Sequence, residues 1–354
     1  MVAVILVNYT IDPGNIYRKN NGAKNNSSNS FAKKLMHSKF GLLHPDDSWN
    51  DRDIKVSIAQ QIKNINCAVI GSSHVLQISS FRKEKSLSSL CDNLINLWVP
   101  GGTLEDYLAL SWELINNPHS PQTIIFGIAV WSLDFNRDSR WLKYKLSYQS
   151  MREKLLQDRK KKNIGNSFTL KYVTNLINPD YFFRSLSRLG ENHPVIREAP
   201  KFDYNIGITD PVILPDGSTV PSKNYIKNAQ DIVKDGNRIM GYPPGLYKIR
   251  RDKVGARQYN EDAVELFTLL IKHLRSKGKK IVLLMTPYHH ATWADDRSLE
   301  VNALKEVEFI VRNLGDKIGV QVLGSHNPAV IGCDTDEFYD YRHAKASCLS
   351  KLDQ

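Results

Sequence analysis

The chain has 354 residues, 41% of them hydrophobic, so it holds enough apolar material for a large core and is neither disordered nor fibrous. Lysine and arginine outnumber aspartate and glutamate 48 to 37, a formal charge of +11, which favours anionic surroundings such as phospholipid surfaces or acidic polymers. Basic residues are spread over several segments without the aromatic interleaving that stacks bases, so a nucleic-acid partner is not expected.

Met1 to Tyr9 reads MVAVILVNY, an apolar run well short of the roughly 20 residues that cross a bilayer. It is either a buried first strand or the trailing end of a membrane helix. The abrupt stop at Asp12-Pro13-Gly14-Asn15, followed by the polar Lys19 to Ser30, favours the second reading. Residues 1–52 are then a membrane-proximal leader with a flexible segment.

Helical spacing over Asp53 to Asn64 precedes an apolar run, Ile65 to Ile70, that ends in the turn Gly71-Ser72-Ser73-His74. A second helix, Leu104 to Ile115, stops at Asn116-Asn117-Pro118, and Thr123 to Val130 is a further apolar strand. Continuous apolar strands separated by helices indicate a parallel sheet covered on both faces. Residues 53–138 form the first part of that domain, and 139–257 are an insertion or cap. The insertion holds a basic helical stretch ending in Arg159-Lys160-Lys161-Lys162 and a helical Phe168 to Leu189. It also holds a small hairpin around Pro215-Asp216-Gly217.

Residues 258–354 resume the pattern, with a helix at Glu261 to Ser276, a strand at Ile281 to Met285, a helix at Ser298 to Leu314 and a strand at Val320 to Leu323. A last helix is expected to begin near His343. The fold class expected is α/β: a flavodoxin-like three-layer α/β/α domain around a parallel sheet, with an inserted helical and hairpin region. Cys67, Cys91, Cys333 and Cys348 lack the spacing of a zinc or redox site and read as small apolar residues, with a Cys333–Cys348 disulfide as the alternative for that pair.

Reactive groups in open α/β sheets gather beyond the carboxyl ends of the strands. A serine hydroxyl needs an imidazole to take its proton and a carboxylate to orient that imidazole. Asp340 and His343, two residues apart, supply the pair, and Ser73 arrives from the turn after the first core strand; Ser72 is the alternative nucleophile. That turn also offers backbone amides to an oxyanion. His74 is a helix-start residue or a wall of the pocket, and Tyr288, His289 and His290 follow a strand where substrate contact is expected. Adjacent histidines on extended chain point apart and have no partner at ligand spacing, so no metal is expected. Trp131 and Asp134, after another strand, serve packing and capping or substrate contact.

The blocks CAVIGSSHVLQIS, GGTLEDYLAL, TIIFGIAVWSLDFN, IVLLMTPYHH and DEFYDYRHAKASCLSKL together resemble the SGNH (GDSL-like) hydrolases. Within them they resemble the branch of membrane-anchored proteins that modify bacterial surface polysaccharides. The resemblance implies that Ser73 is the nucleophile, with Ser72 in place of the usual acid before it, and that Asp340 and His343 complete a triad. It implies an oxyanion site at the Ser73 amide with Gly101 or Gly102. The family's Gly-x-Asn-Asp block would put Asn two residues after Gly127, where Ala129 stands; Trp131, Ser132 or Asn136 then substitutes, or only backbone and glycine donors remain.

The implied activity is O-acyl transfer or ester hydrolysis, O-acetyl most simply, on a cell-surface carbohydrate. It uses an acyl donor and needs no metal or organic cofactor. The implied location is the extracytoplasmic (periplasmic) face of the cell envelope, with membrane contact through the N-terminus; a cytoplasmic esterase is the alternative. The missing Asn also suits a rival reading, a catalytically inactive glycan-binding accessory protein of polysaccharide assembly.

Overall fold

The computed structural model of the protein describes residues 2–12, 22–44, 51–135, 137–157, 176–187, 196–226, 259–294 and 298–352. Its centre is a parallel sheet of five strands: β2 (Cys67–Gly71), β3 (Leu94–Asn96), β4 (Thr123–Ile128), β7 (Lys280–Met285) and β8 (Gln321–Gly324). They lie in the order β3-β2-β4-β7-β8, so the second strand of the sheet in sequence flanks the first on one side and the other three follow on the opposite side. This is the flavodoxin-like order, and its switch point falls between β2 and β4, the position at whose carboxyl ends open α/β sheets bind their ligands.

Uninterrupted apolar sequence makes β2, β4 and β7 because both faces of the sheet are covered there. Ala68, Ile70, Ile124, Phe126, Ile281 and Leu283 enter one core. Helices α3 (Asp51–Gln61), α4 (Leu104–Asn116), α5 (Lys145–Leu156), α7 (Glu261–Ser276) and α8 (Leu299–Ile318) contribute to that core. The alternate residues Cys67, Val69, Ile125, Val282 and Leu284 enter a second core. Irregular chain over residues 75–91 and the short helices α9 (Pro328–Ile331) and α10 (Ala346–Leu349) border it. Helix ends follow their local chemistry: Asn260 and Ser298 accept from backbone amides at the starts of α7 and α8, and Gly319 takes the left-handed conformation that ends α8.

The helix-poor face is stapled by disulfides, Cys67–Cys91 and Cys333–Cys348. This corrects the reading of Cys67 and Cys91 as plain apolar residues and selects the disulfide alternative for Cys333 and Cys348; all four sulfurs are buried where the second core brings them together. Of the two readings of the N-terminal apolar run, the strand is excluded: the run is a helix, α1 (Val2–Ile11). The polar stretch after it, expected to be flexible, enters helix α2 (Gly22–His37) because Phe31, Ala32 and Leu35 at its C-terminal end are wholly buried in the main core. No described helix is long and apolar enough to cross a membrane.

Of the expected Phe168 to Leu189 helix the described residues form α6 (Pro179–Ser187), and a turn at Ile177 and Asn178 interrupts the span ahead of it; Arg159 to Lys162 and Pro13 to Asn15 lie outside the described residues. Helix α6 packs on α1 with polar groups between them: buried Asn8 donates to the Leu176 carbonyl at 2.9 Å and accepts from Ser185, and Tyr181 donates to Asp12 at 2.6 Å.

The expected hairpin forms from β5 (Val212–Ile213) and β6 (Thr219–Val220), and β1 (Leu42–Leu43) pairs with β5. Gly217 turns it with φ +78°, and a side chain there would lie 2.4 Å from the Asn96 carbonyl. The Asp216 carboxylate accepts from Ser79 Oγ at 2.6 Å, the Ser80 amide at 2.9 Å and Ser218 Oγ at 2.6 Å. The Thr219 amide donates to the Leu76 carbonyl at 2.9 Å. The hairpin is thereby seated on the chain that runs on from Ser73.

Candidate active site

Strand β2 ends at Gly71, and the chain turns at once into a single 3-10 turn, Ser73–Val75. Ser72 is wholly buried and its hydroxyl accepts from the His74 amide at 3.4 Å, so it caps the turn. Ser73, one residue on, is half-buried and points the other way, with its Oγ 2.9 Å from His343 Nε2. Close packing under the turn depends on glycines. A Cβ on Gly127 would lie 2.3 Å from Val75 Cγ1, and one on Gly102 would lie 2.8 Å from the Gly71 carbonyl.

The partner loop is pinched shut by a bridge between Phe338 and Ala344 and by the Tyr339 amide donating to the His343 carbonyl at 2.8 Å. Within it Asp340 Oδ1 accepts the Arg342 amide at 2.7 Å and the His343 amide at 2.9 Å, and His343 Nδ1 lies 2.8 Å from Oδ2. Burial pushes the Asp340 carboxyl up. The His343 charge and hydrogen bond, the Tyr225 hydroxyl and the Arg342 amide overcome this and hold it well below the usual carboxylate range. The helix expected near His343 starts only at Ala346, because the bridge holds the intervening chain extended.

The turn after β7 ties the two halves together. The Tyr288 amide donates to the His326 carbonyl and the His289 amide to the Tyr341 carbonyl, each at 3.0 Å. His289 and His290 are themselves engaged in holding backbone: His289 Nδ1 accepts from the Ala291 amide at 3.0 Å, and His290 Nε2 is 2.7 Å from the Cys333 carbonyl. No group of His, Cys, Asp or Glu among the described residues is arranged to hold a metal.

His74 is 4% exposed, its ring centroid 4.8 Å from Tyr288, 5.4 Å from Trp131 and 5.4 Å from His343, and neither ring nitrogen has a hydrogen-bond partner among the described residues. Burial, with the neighbouring Arg342 guanidinium adding to it, holds it well below the ordinary imidazole range, so it is neutral.

The expected oxyanion substitutes are otherwise occupied. Trp131 Nε1 donates to the Gly102 carbonyl at 2.9 Å, and Ser132 Oγ meets Tyr107 OH at 2.8 Å; Asn136 lies outside the described residues. The Gly102 amide donates to the Val99 carbonyl at 3.1 Å, and the Gly127 carbonyl accepts from Tyr107 at 2.5 Å. Gly127 and Gly102 allow close packing under the serine turn, and the Gly102 amide, expected as an oxyanion donor, is engaged by the Val99 carbonyl. Gly101, with φ +60°, turns the loop that carries both Pro100 and Thr103.

Sequence reading missed Tyr225, whose hydroxyl donates to Asp340 Oδ2 at 2.5 Å. It follows hairpin β5–β6, in a stretch whose local pattern shows no periodicity or motif. No protein-family model and no curated protein matches this chain.

Proposed function

We propose that the chain is a serine esterase or O-acyltransferase working through an acyl-enzyme on Ser73, with His343 as general base and Asp340 orienting it. The observation that carries this reading is the 2.9 Å contact between Ser73 Oγ and His343 Nε2, made across 270 residues of sequence and backed by Nδ1 on Asp340. Ser73 Oγ attacks an ester carbonyl while Nε2 takes its proton. The tetrahedral oxyanion collapses to acyl-Ser73, and the leaving alcohol departs with the proton that His343 returns. Water or an acceptor hydroxyl then reverses the sequence, giving hydrolysis or transfer.

The Ser73 amide and the Gly101 loop are the backbone candidates for the oxyanion. Neutral His74, with nitrogens unpartnered beside the pair, is the side-chain candidate. The proposal places the chain with SGNH-like enzymes acting on a surface polysaccharide at the extracytoplasmic face of the envelope. Two disulfides support that location, since such bonds persist in oxidising compartments. The exposed apolar residues Leu6, Phe183 and Leu186 on the outside of the α1–α6 pair support contact with a membrane surface.

A second reading, a glycan-binding accessory protein without catalysis, draws on the engagement of Trp131, Ser132 and the Gly102 amide in internal bonds. A fluorophosphonate probe separates the two. Labelling that is lost in Ser73→Ala and kept in Ser72→Ala supports the enzyme, and a wild-type protein that stays unlabelled while binding glycan supports the accessory.

A further inference from the structure

The inserted region delivers a fourth group to the triad. After the hairpin the chain turns at Ser222, whose hydroxyl accepts the Tyr225 amide at 3.1 Å, and Ile226 packs on Tyr339 in a small buried pair. These contacts bring the Tyr225 hydroxyl to 2.5 Å from Asp340 Oδ2 and 3.5 Å from His343 Nδ1, although 41% of the residue is exposed.

The two carboxylate oxygens of Asp340 are held differently. Oδ1 is fixed by its own loop through the Arg342 and His343 amides. Oδ2, at 2.8 Å the oxygen nearer to Nδ1, is otherwise held by Tyr225. An O–H donating to a carboxylate is short and among the stronger hydrogen bonds. It also draws charge from the oxygen that attracts the Nδ1 proton, which weakens the stabilisation of the imidazolium.

We infer, building on the triad reading above, that Tyr225 is a positioning residue for Asp340, so that the inserted segment governs how readily His343 takes the Ser73 proton. Among the described residues the other groups facing the pair are His74 from the serine turn, His289 from the turn after β7, Tyr339, Tyr341 and Arg342 from the loop itself, and Glu300 from α8, acting on Arg342. Tyr225 is the one of these that donates directly to Oδ2.

The test is the pH dependence of the rate of fluorophosphonate labelling, measured on the full chain as wild type, as Tyr225→Phe and with 3-fluorotyrosine at position 225. In Tyr225→Phe the maximal rate is expected to fall about three- to tenfold and the acidic limb to move up by about half a pH unit to one unit. The fluorinated ring keeps the fold and donates more strongly, so its acidic limb moves down. If Ser73→Ala abolishes labelling while both Tyr225 proteins superimpose on wild type, the inference is wrong and the triad stands. If Tyr225→Phe folds poorly, an unmoved limb in the fluorotyrosine protein alone overturns the inference. A wild type that is unlabelled at every pH, or a Ser73→Ala protein labelled like wild type, removes the triad and the inference together.

Discussion

Cys333 is bonded to Cys348 across the loop that carries Asp340 and His343, and the other disulfide, Cys67–Cys91, closes the loop that carries Ser73. Each half of the site is thus enclosed on the face of the sheet that lacks long helices. A closed loop of 15 residues constrains the unfolded chain by about 3 kcal/mol, so the Cys333→Ser/Cys348→Ser protein should lose about that much stability. Thermal unfolding with and without reductant checks it. The labelling of Ser73 should fall alongside, because the loop holding the imidazole loosens; unchanged melting and labelling after reduction would exclude a structural role for both bonds.

Gly127 makes a sharper steric prediction. A methyl group there would meet Val75 Cγ1 at 2.3 Å, directly beneath the serine turn. Gly127→Ala should therefore cost about 1–3 kcal/mol and slow Ser73 labelling. Val75→Ala in the same protein removes the obstructing Cγ1 and should recover part of both losses. The pair is tested as a double-mutant cycle in urea unfolding, where purely additive costs would show that the two side chains do not compete.

Legibility in the sequence followed the strength of the local signal. Strands β2, β4 and β7 were readable because each is an unbroken apolar run buried on both faces. The Ser73, Asp340 and His343 set was readable because serine chemistry needs those partners and the chain offers them beyond strand ends. Strand β3 was missed: it has three residues, and Asn96 among them is buried for its side-chain bonds to the Val75 and Ile78 carbonyls, at 2.7 and 2.9 Å. Helix α2 was hidden by the polar run ahead of Phe31 and Leu35, and the cysteine pairing depends on contacts that spacing leaves open. Tyr225 was beyond reach because its role arises from where the hairpin docks.

Arg52 and Asp106 form a buried two-point ion pair, Nε to Oδ1 at 2.8 Å and a terminal nitrogen to Oδ2 at 2.9 Å. Asp106 also accepts the Thr103 amide at 2.8 Å, fixing the start of α4 and the glycine loop before it. Arg52→Met would strand a buried carboxylate at a cost of about 3–5 kcal/mol. Arg52→Met/Asp106→Leu should regain most of that, retaining a deficit of about 1 kcal/mol for the lost cap. Chemical denaturation of the two proteins decides it; equal stability of single and double variants would mean that the pair is not coupled.

Acid sensitivity follows from the histidines around the site. Burial lowers the proton affinity of His74, His289 and His326 below the ordinary imidazole value, with neighbouring positive charge adding to it at His74 and His289. A histidine depressed in this way is neutral in the folded chain while its unfolded counterpart, near 6.5, already binds a proton. The unfolded state then holds the excess protons, so stability is full above about pH 6.5 and declines as pH falls below it. Each such group contributes up to about 1.4 kcal/mol per pH unit. Asp340, depressed in the carboxylate sense, contributes stability that is lost only as pH falls below about 4, so the fall that begins below pH 6.5 belongs to the imidazoles. Urea midpoints between pH 7 and pH 4.5 should therefore fall steeply. His74→Phe, which removes one of the three groups, should flatten that fall, and a midpoint unchanged over the interval would show that these imidazoles charge in the folded protein as freely as in water.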